Sequence, residues 1–285
     1  MQSGVLFAVF SLFFAGLNDV VFKRYSGKIR SRGMYILGTG IVWTFLQAIA
    51  SASKGDSLTF DETSLWFGLF AGLFLVISNI LLLESLTHID ISLCSTVYRL
   101  NTIGVVILSF FLLNEHMGVV KISGIVLGIM AVTLLFQRPS SSQAISKFPL
   151  FFALAVAAST MRALYGVTSK AALIRQADPQ TMLLIISSCW IIGGAIYARF
   201  KEKRFRLTGK KAVYSVISGI LVFLIVNSLM LAVGYGEASV VIPIANMSFT
   251  VAIAISLAMK TERLNRKKAA AIIIAVASIL FLSMA

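Results

Sequence analysis

The stretch SLWFGLFAGLFLVISNILLLESL, residues 64–86, carries a single ionisable side chain, Glu84. A helix needs ~20 mostly apolar residues to cross the hydrocarbon core of a bilayer. Lipid offers no hydrogen-bond partner, so a spanning segment must satisfy its own backbone, as a helix does. A barrel strand would be shorter and would alternate in polarity, and this run does neither. The stretch therefore predicts a transmembrane helix, and its surroundings repeat the pattern. Similar runs lie near 4–22, 33–53, 91–113, 118–136, 148–169, 180–198, 212–234, 239–259 and 268–284. The expected fold is all-α and integral to the membrane, with ten transmembrane helices. Thr87 to Asp90 and Tyr235 to Ala238 are tight connections, so the runs they join form antiparallel hairpins. No stretch between runs could house a soluble domain.

Composition agrees. The 285 residues are 58% hydrophobic and 13% charged, with a mean hydropathy of +0.93. A soluble chain is about half apolar and about a quarter charged. The formal charge of +14 sits in short clusters between apolar runs. That is the pattern of loops facing anionic lipid rather than of a nucleic-acid face, so the bilayer is the expected partner and nucleic acid is not. Cys94 and Cys189 lie inside apolar runs and read as helix-packing residues, with no metal or disulfide spacing. Met1 to Gly4 carry no basic n-region, and no A-x-A-like site adjoins Lys23-Arg24. The first run is thus expected to be a retained span. The two histidines, His88 and His116, fall in different loops on opposite faces, and no Gly-rich loop with Lys-Ser/Thr exists. No catalytic set, metal site or cofactor is expected.

The chain also resembles itself. Shifted by 147 residues, Lys23 falls on Lys170, Trp43 on Trp190, Lys54 on Lys201 and Gly72 on Gly219. Ser92 falls on Ser239, Glu115 on Glu262 and Lys121 on Lys268. All five apolar runs of the first half fall on the five of the second. Residues 1–138 thus read as one five-helix repeat, 139–147 as a linker, and 148–285 as the second repeat. An odd number of spans obliges the second repeat to enter from the opposite side. Inverted repeats around a central cavity are a recurring plan among secondary transporters, because two such halves can rock about a shared site.

Basic residues in loops set orientation. The loops after runs 1, 3, 5, 7 and 9 hold 19 of the 25 Lys and Arg residues. The opposite face holds four (Lys54, Lys121, Lys170 and Arg175), and two, Arg99 and Arg162, lie inside runs. The expectation is a multi-pass protein of a plasma or bacterial inner membrane, with both termini away from the cytosol.

The stretch LLLESLTHIDISLCSTVYRLNTIGVVILSFFLLNEHMGVVKISGIVLGIMAVTLLF, residues 81–136, resembles the C-terminal part of an EamA domain, the repeat unit of the drug/metabolite transporter superfamily. A short turn, a small-residue-rich span, a Glu near its end and a glycine-containing span make the pattern. Residues 229–283 repeat it with Glu262. The resemblance implies a ten-helix basket whose cavity is lined chiefly by spans 1–4 and 6–9, moving metabolites, amino acids, nucleotide sugars or drugs, often by exchange or proton coupling. The chain departs in one of two prolines common in spans 4 and 9: Pro243 is present, but its counterpart is Thr96. The resemblance also implies cytosolic termini, against the charge count.

Arg99 is the sharpest candidate for substrate binding. It lies eight residues into its run, where translocon scales put a central arginine at ~2.5–3.5 kcal/mol. Ser92, Ser95 and Thr102 share its helical face. The competing reading is a structural ion pair with Asp19 or Glu84. Arg162 stands in a stripe with Ser159, Gly166 and Ser169, and Asn246, the repeat mate of Arg99, with Ser239, Pro243 and Thr250. Arginine binds carboxylate and phosphate through paired donors, which favours an anionic or zwitterionic solute. Asn18, Asn79 and Asn227 are candidate hydrogen-bonders to substrate or glue between helices. Tyr98, Tyr165, Trp43 and Trp190 line the cavity or serve packing and the membrane interface. Asp19, then Glu84, are the candidate proton carriers, or else structural acids. Glu115 and Glu262 are expected to cap turns or pair with Lys121 and Lys268. Gly68 with Gly72 and Gly124 with Gly128 are expected to permit close helix packing. The expected function is secondary transport of a small anionic or zwitterionic metabolite, with protons as a second candidate partner. The alternatives are a drug exporter of the same fold and, from another class, a membrane-embedded enzyme or lipid-handling protein.

Overall fold

A computed structural model describes residues 2–26, 31–53, 58, 60–85, 97–134, 148–203, 208–260 and 265–285, with only the backbone at Lys23, Ser26 and Phe148. In chain order the helices are α1 (Gln2–Ser26), α2 (Arg32–Ser53), α3 (Glu62–Ser85), α4 (Asn101–Leu113), α5 (Val119–Leu134), α6 (Phe148–Ile174) and α7 (Pro179–Tyr197). Then follow α8 (Gly209–Tyr235), α9 (Ala238–Ala245), α10 (Phe249–Ala258) and α11 (Arg266–Ser283). No strand occurs among the described residues. Among the described residues, seven helical stretches are long and apolar enough to cross a membrane, and Val97–Leu113 and Val119–Leu134 are shorter apolar helices. The stretch 139–147, Ser92, Ser95, Cys94, Thr96, His88, Lys54 and Glu262 lie outside the described residues.

Local chemistry sets several helix ends. Asp178 caps α7, accepting from the amides of Gln180 (3.4 Å) and Thr181 (2.8 Å), with Pro179 in the first turn. Its own amide donates to Ser64 Oγ at 2.7 Å, tying the start of α7 to the start of α3. The Asp61 carboxylate accepts from the Ser64 amide at 3.0 Å, and these Ser64 bonds hold its carboxyl below the usual carboxylate range.

The repeat found in the sequence appears as a symmetric set of packings. The repeat mate of α1 is α6 and that of α3 is α8; accordingly α1 packs on α8 while α3 packs on α6. The mates α2 and α7 pack on each other, as do α5 and α11. The start of α1 and the end of α6 meet at one point: Gly4 abuts Gly236, and Lys170 Nζ donates to the Gly236 carbonyl at 2.8 Å. Helices α1 and α6 therefore run in opposite directions, as inverted repeats require.

Small residues let backbones touch. A Cβ on Gly194 would sit 2.4 Å from the Leu37 amide, so α2 and α7 approach there without a side chain between them. The other glycines expected to permit packing do so: Gly72 faces Cys189, Gly68 faces Ile185, Gly124 faces Leu282 and Gly128 faces Met247.

One expectation changes. The run 239–259 is not one straight helix. It breaks at Asn246–Ser248, where Met247 leaves helical geometry (φ −82°, ψ 17°). Pro243 removes an amide donor one turn earlier. Leu100, 147 residues before Met247, sits at a similar break (φ −68°, ψ 1°) without a proline in its helix. Helices interrupted at matching places in two repeats are the usual builders of a midplane site.

Candidate functional site

A cavity of about 200 Å³ lies between the repeats. Its wall takes Ser11, Ala15, Asn18, Asp19 and Phe22 from α1, and Tyr35, Ile36 and Thr39 from α2. Leu75, Asn79, Leu82 and Leu83 come from α3, Arg162, Tyr165 and Gly166 from α6, and Trp190 from α7. Tyr98, Arg99, Asn246 and Ser248 come from the two helix breaks, with apolar side chains of α8 and α9 completing the wall. Among the described residues, nothing before Ser11 in α1, after Thr39 in α2, before Leu75 in α3 or after Leu229 in α8 lines it. On the first repeat the cavity thus reaches toward the end where α1 and α3 finish, while α6 and α8 line it only from Arg162 and Val222 onward.

Arg99 organises one wall. Its Nη2 pairs with Asp19 Oδ2 at 2.5 Å, and its Nη1 donates to the Asn246 carbonyl at 2.8 Å and to Ser248 Oγ at 2.7 Å. The guanidinium also lies over the Phe249 ring, 5.6 Å from its centroid. The Asn246 carbonyl is near the end of α9, where carbonyls lose their intrahelical partners, so Arg99 caps a broken helix of the other repeat. Ser248 Oγ donates to Asp19 Oδ2 at 3.1 Å. The Asn246 amide nitrogen donates back to Asn101 Oδ1 (2.7 Å) and Thr102 Oγ1 (3.0 Å), so the two breaks lock together.

Arg162 is different. It faces the Tyr165 ring at 5.2 Å, and no carboxylate pairs with it among the described residues. Nearby wall atoms are also unsatisfied: Asn18 Oδ1, Thr39 Oγ1 and Trp190 Nε1 have no hydrogen-bond partner among the described residues. Buried polar atoms are normally paired, so these three are exceptions, although each is closed off from the cavity space itself.

Of the residues singled out in the sequence, Arg99, Arg162, Asn246, Asn18, Asn79, Tyr98, Tyr165 and Asp19 meet at this cavity. Two do not. Asn227 donates to Gln47 Oε1 at 2.9 Å, and Gln47 donates to Gln180 Oε1 at 2.9 Å, in an amide chain between α8, α2 and α7. Glu84 accepts from the Tyr197 hydroxyl at 2.6 Å, with Lys201 Nζ at 3.8 Å. Glu115 caps the turn before α9, the first of the two roles expected of it, and Lys121 pairs with Glu237 instead. Sequence reasoning missed Tyr35, whose hydroxyl lies 2.6 Å from Ser218 Oγ, and Ser248. Ser248 stands five residues after Pro243, and a proline-induced break was the signal that could have found it.

The fold and cavity define an all-helical, multi-pass membrane protein of two repeats with a polar site between them. The model of the EamA-like transporter family matches residues 2–137 and again 150–284, and the chain belongs to that family. It is therefore a membrane transporter of the drug/metabolite type. A crystal structure of another protein superposes with a TM-score of 0.84 over 99% of this chain and 96% of that one, at 14% identity, a likeness of fold alone. No curated protein matches the chain.

Proposed function

We propose that the protein carries a small anionic or zwitterionic metabolite across a cell membrane by alternating access. Ten spans in two inverted repeats, 1–138 and 148–285 joined by 139–147, would provide the two rocking halves. The observation that carries the substrate class is Arg162, a guanidinium on the cavity wall with an aromatic face beside it and no carboxylate partner among the described residues. A charge at this depth is costly unless it finds an anion. Arg99 is already committed to Asp19, Asn246 and Ser248, so the recognition role passes to Arg162. Tyr98 and Tyr165 supply the aromatic wall. Asp19, on the cavity wall and paired with Arg99, is the proton carrier in this reading. Glu84 lies off the cavity and drops behind it.

A thermal-shift screen of monocarboxylates, dicarboxylates, zwitterionic amino acids and quaternary ammonium ions tests this. A ligand that binds only the folded state raises the melting temperature. Stabilisation by carboxylates or zwitterions, lost in Arg162→Gln, is the expected result. Stabilisation by the ammonium ions alone would instead support the drug-exporter reading.

A further inference from the structure

At the end of the molecule where α1 starts, the turn between α8 and α9 is held by charged groups from both repeats. The Glu115 carboxylate, 7% exposed, accepts from the amides of Ala238 (2.7 Å) and Ser239 (2.9 Å) and from the Ser239 hydroxyl. It thereby caps the N-terminus of α9 from the loop between α4 and α5, where a helix ordinarily takes its cap from the residue just before it. Lys121 Nζ, 4% exposed, pairs with Glu237, donates to the His116 carbonyl at 2.5 Å and reaches Ser239 Oγ at 3.3 Å. Lys170 donates to the carbonyls of Val233 (2.7 Å) and Gly236 (2.8 Å).

Such a construction is a poor choice for simple stability. Lys121 is buried while its partner Glu237 is 41% exposed, so the pair meets water on one side, and an ion pair open to water adds little net stability. Its merit is that it can come apart into water and re-form, with discrete made and broken states. The sequence adds an independent observation. The residues of this cluster are among the few kept between the repeats: Glu115, Lys121, Lys170 and Ser239 recur 147 residues away as Glu262, Lys268, Lys23 and Ser92. Most other positions changed between the halves.

We infer that Glu115, Lys121 and Lys170, gripping the turn Tyr235–Ser239, form an ionic gate that closes this end of the transport path while the cavity reaches, on the first repeat, toward the other end, and that the gate breaks once in each transport cycle. This rests on the alternating-access reading above. The helix break at Asn246–Ser248 lies below the gripped end of α9, so release of the grip frees α9 to move as a unit against α4.

The test needs no substrate. Ala15→Cys places a thiol on the cavity wall in a background with Cys94→Ala and Cys189→Ala. Labelling by a membrane-impermeant maleimide is followed separately from each side of reconstituted vesicles. Glu115→Gln is expected to raise the labelling rate from the gate side about tenfold. Lys121→His with Glu237→His introduces imidazoles that Zn²⁺ can bridge. Zinc is expected to abolish gate-side labelling, leave labelling from the other side, and be reversed by EDTA. Gate-side labelling that proceeds at the same rate with and without zinc, and is unchanged in Glu115→Gln, would show the cluster to be a permanent contact and overturn the gate. Absence of gate-side labelling in the parent and in every variant would overturn alternating access itself. If the double histidine variant does not purify as a folded species, the Glu115→Gln rate alone decides the gate.

Discussion

The indole rings of Trp43 and Trp190 meet edge-on, with centroids 5.7 Å apart and planes at 81°. The two residues are 147 apart, the same offset that relates the repeats. A side chain touches its own symmetry mate only beside the two-fold axis, so the axis passes between these rings. Arg99 and Asn246 carry the same offset and touch as well. The symmetric framework thus holds an asymmetric pair at its centre, arginine on one side and amide on the other.

Arg99 and Asp19 should behave as a unit. Asp19 is 39% exposed toward the cavity, which tempers the cost of losing its partner. Arg99→Gln is expected to lower the stability of the ligand-free protein by about 1.5–3 kcal/mol, the worth of hydrogen bonds to a charged group. Asp19→Asn added to it should restore at least half. Melting temperatures in nanodiscs report both, and an unchanged melting temperature in Arg99→Gln would remove the pair from the structural account.

Arg162 should respond in the opposite way. Arg162→Lys keeps the charge and loses the planar fork that grips a carboxylate through two donors. Ligand-free stability is expected to hold within about 0.5 kcal/mol, as for substitutions that break no packing or pairing. Affinity for a stabilising anion should fall about tenfold, equivalent to ~1.4 kcal/mol. Isothermal titration with the best anion from the screen measures this, and equal affinity would exclude a bidentate contact.

The contact between α2 and α7 tolerates no added methyl. Gly194→Ala sets a carbon 2.4 Å from the Leu37 amide, a backbone atom that cannot swing aside. The expected loss is about 1–3 kcal/mol, the range for overpacking. Gly209, with nothing within 4 Å of its Cβ position, is the control and should accept alanine with little change on the same thermal assay.

Capping of α7 by Asp178 is a local effect and should cost accordingly. Asp178→Ala is expected to destabilise by about 1 kcal/mol, whereas Asp178→Asn, which keeps an acceptor oxygen, should cost less. Equal losses in the two variants would assign the effect to charge instead of the cap.

Orientation is tested by a single added thiol. Ser3→Cys and Ser283→Cys lie at exposed positions near the two ends. With 19 of 25 basic residues in the odd-numbered loops, both should react with an impermeant maleimide in intact cells. Protection of both until lysis would reverse the orientation and leave the fold untouched.

The amino-acid sequence by itself determined that the chain is a bundle of membrane helices in two related halves. Apolar runs and a constant offset are linear properties, and the bilayer turns them into helices because no other backbone arrangement in these runs can satisfy itself. The charged and amide side chains of the cavity wall were also legible, since a charge or amide inside an apolar run must face something other than lipid. What the sequence left open is which charge meets which. Asp19 and Glu84 were equal candidates to pair with Arg99; the crossing of α1 beside the break at Asn246 brought Asp19 to it, while Glu84 went to Tyr197. Lys121 lies six residues from Glu115, yet it pairs with Glu237 of the other repeat. Only the tertiary structure decided these partners, because ion pairing falls off within a few ångströms and depends on which helix ends the packing brings together.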